Sequence, residues 1–165
     1  MKRASGSFRY RRLQLLDGRA GDAYRPGRKP AGAALCPRCG AVFSRGRWRW
    51  AAAPGQAAKL RCPACARIQE NFPAGYVSLG GAFFAGRRDE VLARVRHCEA
   101  QENAEHPLER IIAIKASRKG DTEVTTTSTH LARLIAHALK RAFKGELATQ
   151  YGRGDNLVRI RWSRD

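Results

Sequence analysis

The 165 residues carry 32 Lys plus Arg against 14 Asp plus Glu, a formal charge of +18, and such an excess repels itself in a compact chain unless a polyanion neutralises it. The length fits one ordinary domain, or a small metal module fused to a domain of about 80 residues, and is enough for one modest core. No apolar run approaches ~18 residues and the N-terminus has no apolar signal region, so membrane insertion is disfavoured and a soluble cytoplasmic protein is expected.

Charge of this size points to RNA or DNA as the partner. The bland alternative is an arginine bias from a GC-rich coding sequence. Five cysteines, four of them in two Cys-x-x-Cys pairs, suit a reducing compartment and a metal better than a disulfide framework.

Residues 1–30 hold Arg9, Arg11 and Arg12 among many other cations, with Gly, Ser and Pro scattered between. They lack apolar periodicity and read as a flexible basic arm for RNA, or equally as a solubilising tail. Phe8 and Tyr10 could stack on bases there.

Residues 33–70 form the cysteine module. Val42 to Trp50 alternates like a strand, with Trp48 and Trp50 on one side, Arg45, Arg47 and Arg49 two apart, and Gly46 as a turn or bulge. Residues 51–58 read as a loop. Each Cys-x-x-Cys makes a knuckle that can present two thiolates, and Pro37 and Pro63 stiffen the two at the same relative position. The 22 residues between the knuckles suffice for a hairpin. The combination predicts a zinc-ribbon-like module holding one structural Zn²⁺ through Cys36, Cys39, Cys62 and Cys65. An iron–sulfur cluster or a redox dithiol is the alternative chemistry. Four thiolates leave no open coordination position, which argues against metal-assisted hydrolysis at this site.

Residues 71–165 form the second unit. Pro73, Gly75, Gly80 and Gly81 punctuate a short run, Tyr76 to Leu79, that reads as an edge strand. From Arg88 to Glu105, Val91, Leu92, Val95 and Cys98 fall on one helical face, and Pro107 stops the helix. Leu108 to Ala116 is a strand by its isoleucines, and Gly120 with Asp121 turns the chain into a second strand, Thr122 to Thr127. Ser128 or Thr129 caps the next helix, whose stripe is Leu131, Leu134, Ile135, Ala138, Leu139, Ala142 and Phe143, with Gly145 just past its end. Val158, Ile160 and Trp162 alternate with Arg159 and Arg161 in a final strand.

The order strand, helix, strand, strand, helix, strand predicts an α+β class: a small sandwich, ferredoxin-like βαββαβ, behind the zinc module.

Arg133, His137, Lys140, Arg141 and Lys144 recur at three- and four-residue steps and share the helix face opposite that stripe. With Arg159, Arg161, Arg45, Arg47, Arg49 and Trp48 they are the candidate RNA-binding set, lining one electrostatic footprint; a plain solvated face is the alternative for the helix alone. Cys98 reads as a core residue, and His97, His106 and His130 as structural or surface residues. The acidic cluster Glu102, Glu105, His106 and Glu109 is the one motivation for a rival reading as a nucleic-acid-processing enzyme, and a DNA-binding, transcription-associated zinc ribbon is a third. No Gly-rich phosphate loop or catalytic triad is present, and a small-molecule substrate is not expected.

Several segments together, CPRCG at 36–40, CPAC at 62–65, FPAGYVSLGG at 72–81, EHPLERI at 105–111 and THLARLIAHALKRAFKGEL at 129–147, resemble the short bacterial relatives of the export-adaptor family that binds the large ribosomal subunit in eukaryotes and has archaeal members. The likeness covers roughly residues 33–165. It implies zinc ligation by the four paired cysteines and, by analogy, association with ribosomal RNA and protein. The chain departs from the eukaryotic pattern in having only two cysteine pairs and in lacking the downstream β-barrel domains and export signals, so nuclear export is not implied. The expected protein is thus a non-enzymatic zinc protein that binds structured RNA, on a ribosome or ribosomal subunit.

Overall fold

The computed structural model describes residues 24, 29–117, 120–152 and 156–165. Two sheets organise them: a small one built around the cysteines and a five-stranded one behind it. Arg9, Arg11 and Arg12 of the expected basic arm lie outside the described residues.

The small sheet has four short strands, β1 (Ala34–Leu35), β2 (Val42–Ser44), β3 (Arg47–Arg49) and β4 (Ala58–Lys59), in the order β3-β2-β1-β4. Val42 to Trp50 is therefore a hairpin rather than one strand. Its turn residues Arg45 and Gly46 both have positive φ, 49° and 82°, the geometry that matches the twist of a two-residue hairpin and that glycine accepts without strain. The expected loop ends in β4, which pairs parallel to β1. That pairing is decisive for the module: both chains leave the sheet in the same direction, so Cys36, next after β1, and Cys62, shortly after β4, arrive at one end.

Pro63–Glu70 follows as helix α1, with Cys62 as its N-cap and Pro63 in its first turn. The sequence reading missed this helix because its buried positions, Ala64, Cys65, Ala66 and Arg67, are small or charged and leave no apolar stripe. Pro in the first turn costs nothing, since its missing N–H would be unpaired there.

The larger unit runs β5 (Gly75–Gly80), α2 (Ala82–Gly86), α3 (Arg88–Glu105), β6 (Ile111–Ala116), β7 (Thr122–Thr126), α4 (Thr129–Phe143), β8 (Glu146–Tyr151) and β9 (Val158–Ser163). The class is α+β as expected, and strand order β6-β7-β5-β9-β8 keeps β7 between β5 and β6, a split βαβ unit. Two features depart from a six-element ferredoxin-like order. Strand β8 is additional, and it forms an antiparallel hairpin with β9, which turns β9 parallel to β5. Its polar sequence and mostly exposed residues mark an edge strand that no alternating apolar pattern could announce.

The expected edge strand Tyr76–Leu79 is instead central, hydrogen-bonded on both sides. Its glycines allow close approach rather than chain breaking: a Cβ at Gly75 would lie 2.4 Å from Thr126 Oγ1 and 2.5 Å from Ala132 Cβ.

Helices α3 and α4 pack on one face of this sheet. Val77, Leu79, Val124, Val158, Ile160 and Trp162 from the strands meet Val91, Val95, Leu131, Ile135 and Leu139 from the helices in one buried cluster. Cys98 belongs to it, as the helical spacing predicted, whereas Ala142 is exposed. Ser128 caps α4 by accepting from Leu131 N at 3.0 Å. Trp162 is fully buried and its Nε1–H donates to Lys144 O at 2.8 Å, tying the last strand to the end of α4. Among the described residues no helix is long and apolar enough to cross a membrane.

Candidate metal centre and cationic surfaces

The four sulfurs of Cys36, Cys39, Cys62 and Cys65 all lie within 4.8 Å of one another. Those of Cys39 and Cys62 are 3.7 Å apart. A tetrahedral ion with metal–sulfur bonds of about 2.3 Å requires sulfur–sulfur edges of about 3.8 Å, so the four cysteines can hold one metal ion with little movement. An iron–sulfur cluster would have to spread the same sulfurs around several irons.

The first knuckle is closed by Gly40, at φ +80°, whose N–H donates to Cys36 O at 2.9 Å. In the second, the start of α1 supplies the turn, with Cys65 N donating to Cys62 Sγ at 3.4 Å.

Electrostatics divide the cysteines. Burial pushes the Cys36 thiol up, but backbone N–H groups of Cys62, Cys39 and Arg38 outweigh it and bring its pKa down to about 6; the Cys62 N–H stands 3.3 Å from that sulfur. Burial raises the Cys39 thiol. It raises Cys62 further, well above the ordinary thiol range, helped by the charges of the other three cysteines. A metal ion is the group that would draw those last protons off.

Arg110 is the residue that sequence reasoning missed. Its Nη1 donates to Cys65 Sγ at 3.2 Å. Burial alone would lower the pKa of this guanidinium, and the sulfur partner reverses the effect. Four thiolates around a divalent ion carry a net double negative charge, and Arg110 offsets part of it from outside the ligand set. Nothing local in the sequence singles it out among so many arginines, because only the fold brings residue 110 to residue 65.

The end of α3 and the loop after it anchor the module. Leu108 packs against the cysteine cluster, Arg110 N donates to Thr127 Oγ1 at 3.0 Å, and Trp50 Nε1 donates to Asn103 O at 2.5 Å.

The candidate RNA-binding residues do not all share one face. Arg133, His137, Lys140 and Arg141 are exposed on α4 and Lys144 is exposed at its C-cap, and none has a carboxylate partner among the described residues. His137, Lys140, Arg141 and Lys144 line a shallow concavity of about 480 Å³ with Gly145.

Arg159 and Arg161 point from the opposite face of the sheet, since their neighbours Val158, Ile160 and Trp162 face the helices. They are also engaged: the Arg159 guanidinium lies 4.1 Å over the Tyr76 ring, and Arg161 Nη2 is 3.6 Å from Asp121 Oδ2. In the module Arg45 and Arg47 are exposed, but Arg49 is half-buried and donates to Ser44 O at 3.4 Å. Trp48 does not share a free face with Trp50. It packs against the cysteine cluster and meets Phe43 edge-on, ring centres 5.6 Å apart.

No family model, curated protein or solved structure matches this chain.

The acidic residues behind the enzyme reading have separate partners, although His106 and Glu109 line one concavity with His130. Glu102 faces His130 at 3.6 Å, Glu109 accepts a hydrogen bond from the Ser128 hydroxyl, and Glu105 is exposed. Among the described residues only the four cysteines gather closely enough to hold a metal.

Proposed function

We propose that this chain is a non-enzymatic zinc protein of the cytoplasm that binds structured RNA, in the setting of a ribosome or ribosomal subunit. Zinc is the ion because four thiolates at tetrahedral spacing in a strand-and-knuckle scaffold suit it, and a closed ligand set gives it a structural role. The segments that resemble the export-adaptor family support the same reading, and kinship with that family's short bacterial members is part of the proposal.

The observation that carries the RNA assignment is the unpaired cationic face of α4. Four basic or imidazole side chains stand exposed along α4 and a fifth, Lys144, at its C-cap, in a chain of formal charge +18. Cations held without acidic partners are available to phosphates, and each phosphate neutralised releases counterions from the nucleic acid. The exposed Arg45 and Arg47 add a second contact region on the metal module.

Sucrose-gradient fractionation of cells expressing tagged full-length protein tests the assignment. Co-sedimentation with ribosomal subunits that dissolves as salt is raised is expected. A protein that stays at the top of a low-salt gradient and crosslinks to no RNA refutes it, and preference for duplex DNA in direct competition transfers the reading to a transcription-associated role.

A further inference from the structure

A second concavity, about 810 Å³ in volume, opens where the metal module meets the α+β unit. This is a size that commonly encloses a nucleotide-sized ligand. Its walls come from distant parts of the chain. Phe43 and Trp48 of the β2–β3 hairpin form an aromatic side, with Arg47 and Lys29 at its rim. The Lys29 ammonium lies over the hairpin turn, 3.8 Å from where a Cβ at Gly46 would stand. His106 and His130 line the other side, with Asn156 beside them.

We propose that this cleft is a binding site for one nucleotide unit, its base against Trp48 and its phosphate between Lys29 and Arg47. Aromatic faces accept any base by stacking, and adjacent cations take the phosphate without reading sequence. The Glu109 carboxylate, which lines the cleft and accepts from Ser128, is an acceptor for ribose hydroxyls. Trp48 is held in place because it packs against the cysteine cluster, and the buried Phe43 ring meets it edge-on. The metal thereby fixes one wall of the site, while His106 and His130 belong to the other unit, so the site exists only when the two are docked.

The inference deepens the RNA-binding reading by giving one unpaired nucleotide of the RNA a seat separate from α4. A free mononucleotide offers the same chemistry.

The test uses zinc-loaded full-length protein with a short single-stranded oligouridylate carrying one 4-thiouridine. Crosslinks are mapped by mass spectrometry, and affinity is followed by fluorescence anisotropy. Crosslinks to the 43–48 or 106–109 segments are expected. The double variant Arg47→Ala/His130→Ala, both at exposed positions, should abolish them and weaken binding roughly tenfold. Because Trp48 supports the cysteine cluster, Trp48→Phe is the aromatic variant of choice, and it should weaken binding less than the double variant.

Competition by uridine monophosphate at millimolar concentration would assign the seat to free nucleotides as well; failure to compete confines it to a nucleotide within a strand. Crosslinks confined to α4, with affinity unchanged in the double variant, overturn the cleft and leave RNA binding intact. No binding of any RNA overturns both.

Discussion

Replacing Arg110 by Met keeps the length and apolar stem of the side chain and removes only its charge and donors. The backbone bonds of residue 110 to Thr127 survive the change, so the loop stays tethered. What is lost is the 3.2 Å contact from Nη1 to Cys65 Sγ. A hydrogen bond to a charged group contributes about 1.5–3 kcal/mol, and partners outside the ligand shell typically alter metal affinity by about ten- to a hundredfold. Arg110→Met should therefore weaken zinc binding by roughly that factor while leaving the sheet intact. Competition against a chelator of known affinity measures it, with circular dichroism as the control for fold. Arg110→Lys, which keeps the charge but loses the planar fork, should fall between. An Arg110→Met protein that holds zinc as tightly as the unmodified chain would refute the idea that this guanidinium offsets thiolate charge.

Zinc affinity should rise with pH. Cys36, held near 6, enters as thiolate at pH 7.5, whereas Cys39 and Cys62, both raised, must surrender protons to the metal. Calorimetry in buffers of different ionisation enthalpy should therefore show release of at least those two protons; a buffer-independent enthalpy contradicts this.

Chelation or Cys62→Ser should expose residues 34–70 to rapid hydrogen exchange and leave the β5–β9 sheet protected, since the two units have separate buried clusters; simultaneous loss of protection in both would show them to be one cooperative unit. Trp162→Ala should cost about 3–5 kcal/mol in urea denaturation, as it empties the core and strands the Lys144 carbonyl; a loss below about 1 kcal/mol would mean the site collapses without a cavity. Lys140→Gln with Lys144→Gln should flatten the salt dependence of RNA binding by about 1.4–1.8 in slope, and an unchanged slope would remove those two lysines from the interface.

The metal site was the part most legible in the sequence, because ligand type and spacing are local. The helix 129–143 and the strand 158–162 were legible for the same reason: their apolar periods come from burial on one side. What escaped had no such signature. Helix α1 buries alanines, β8 is an exposed edge, and the glycines at 75 and 80 look like breakers but sit in a central strand where neighbouring atoms leave no room for a side chain. The candidate RNA-binding residues illustrate another limit. Periodicity placed four of them on helix α4, with Lys144 falling at its C-cap, but whether a strand's arginines share that face depends on which side of the sheet the helix covers. Arg110 and the cleft depend wholly on pairings between distant segments.

The parallel pairing of β5 with β9 has a consequence for how the chain is made. Strand β5 emerges early in its unit, yet its partner on one side is synthesised only after α2, α3, β6, β7, α4 and β8. The centre of the large sheet thus cannot close during most of translation, and non-local closure of this kind slows folding. The metal module, built from neighbouring segments, meets no such delay. A nascent chain can load its zinc and set one wall of the interdomain cleft while the other half is still unfinished, which gives the ion the part of an early template.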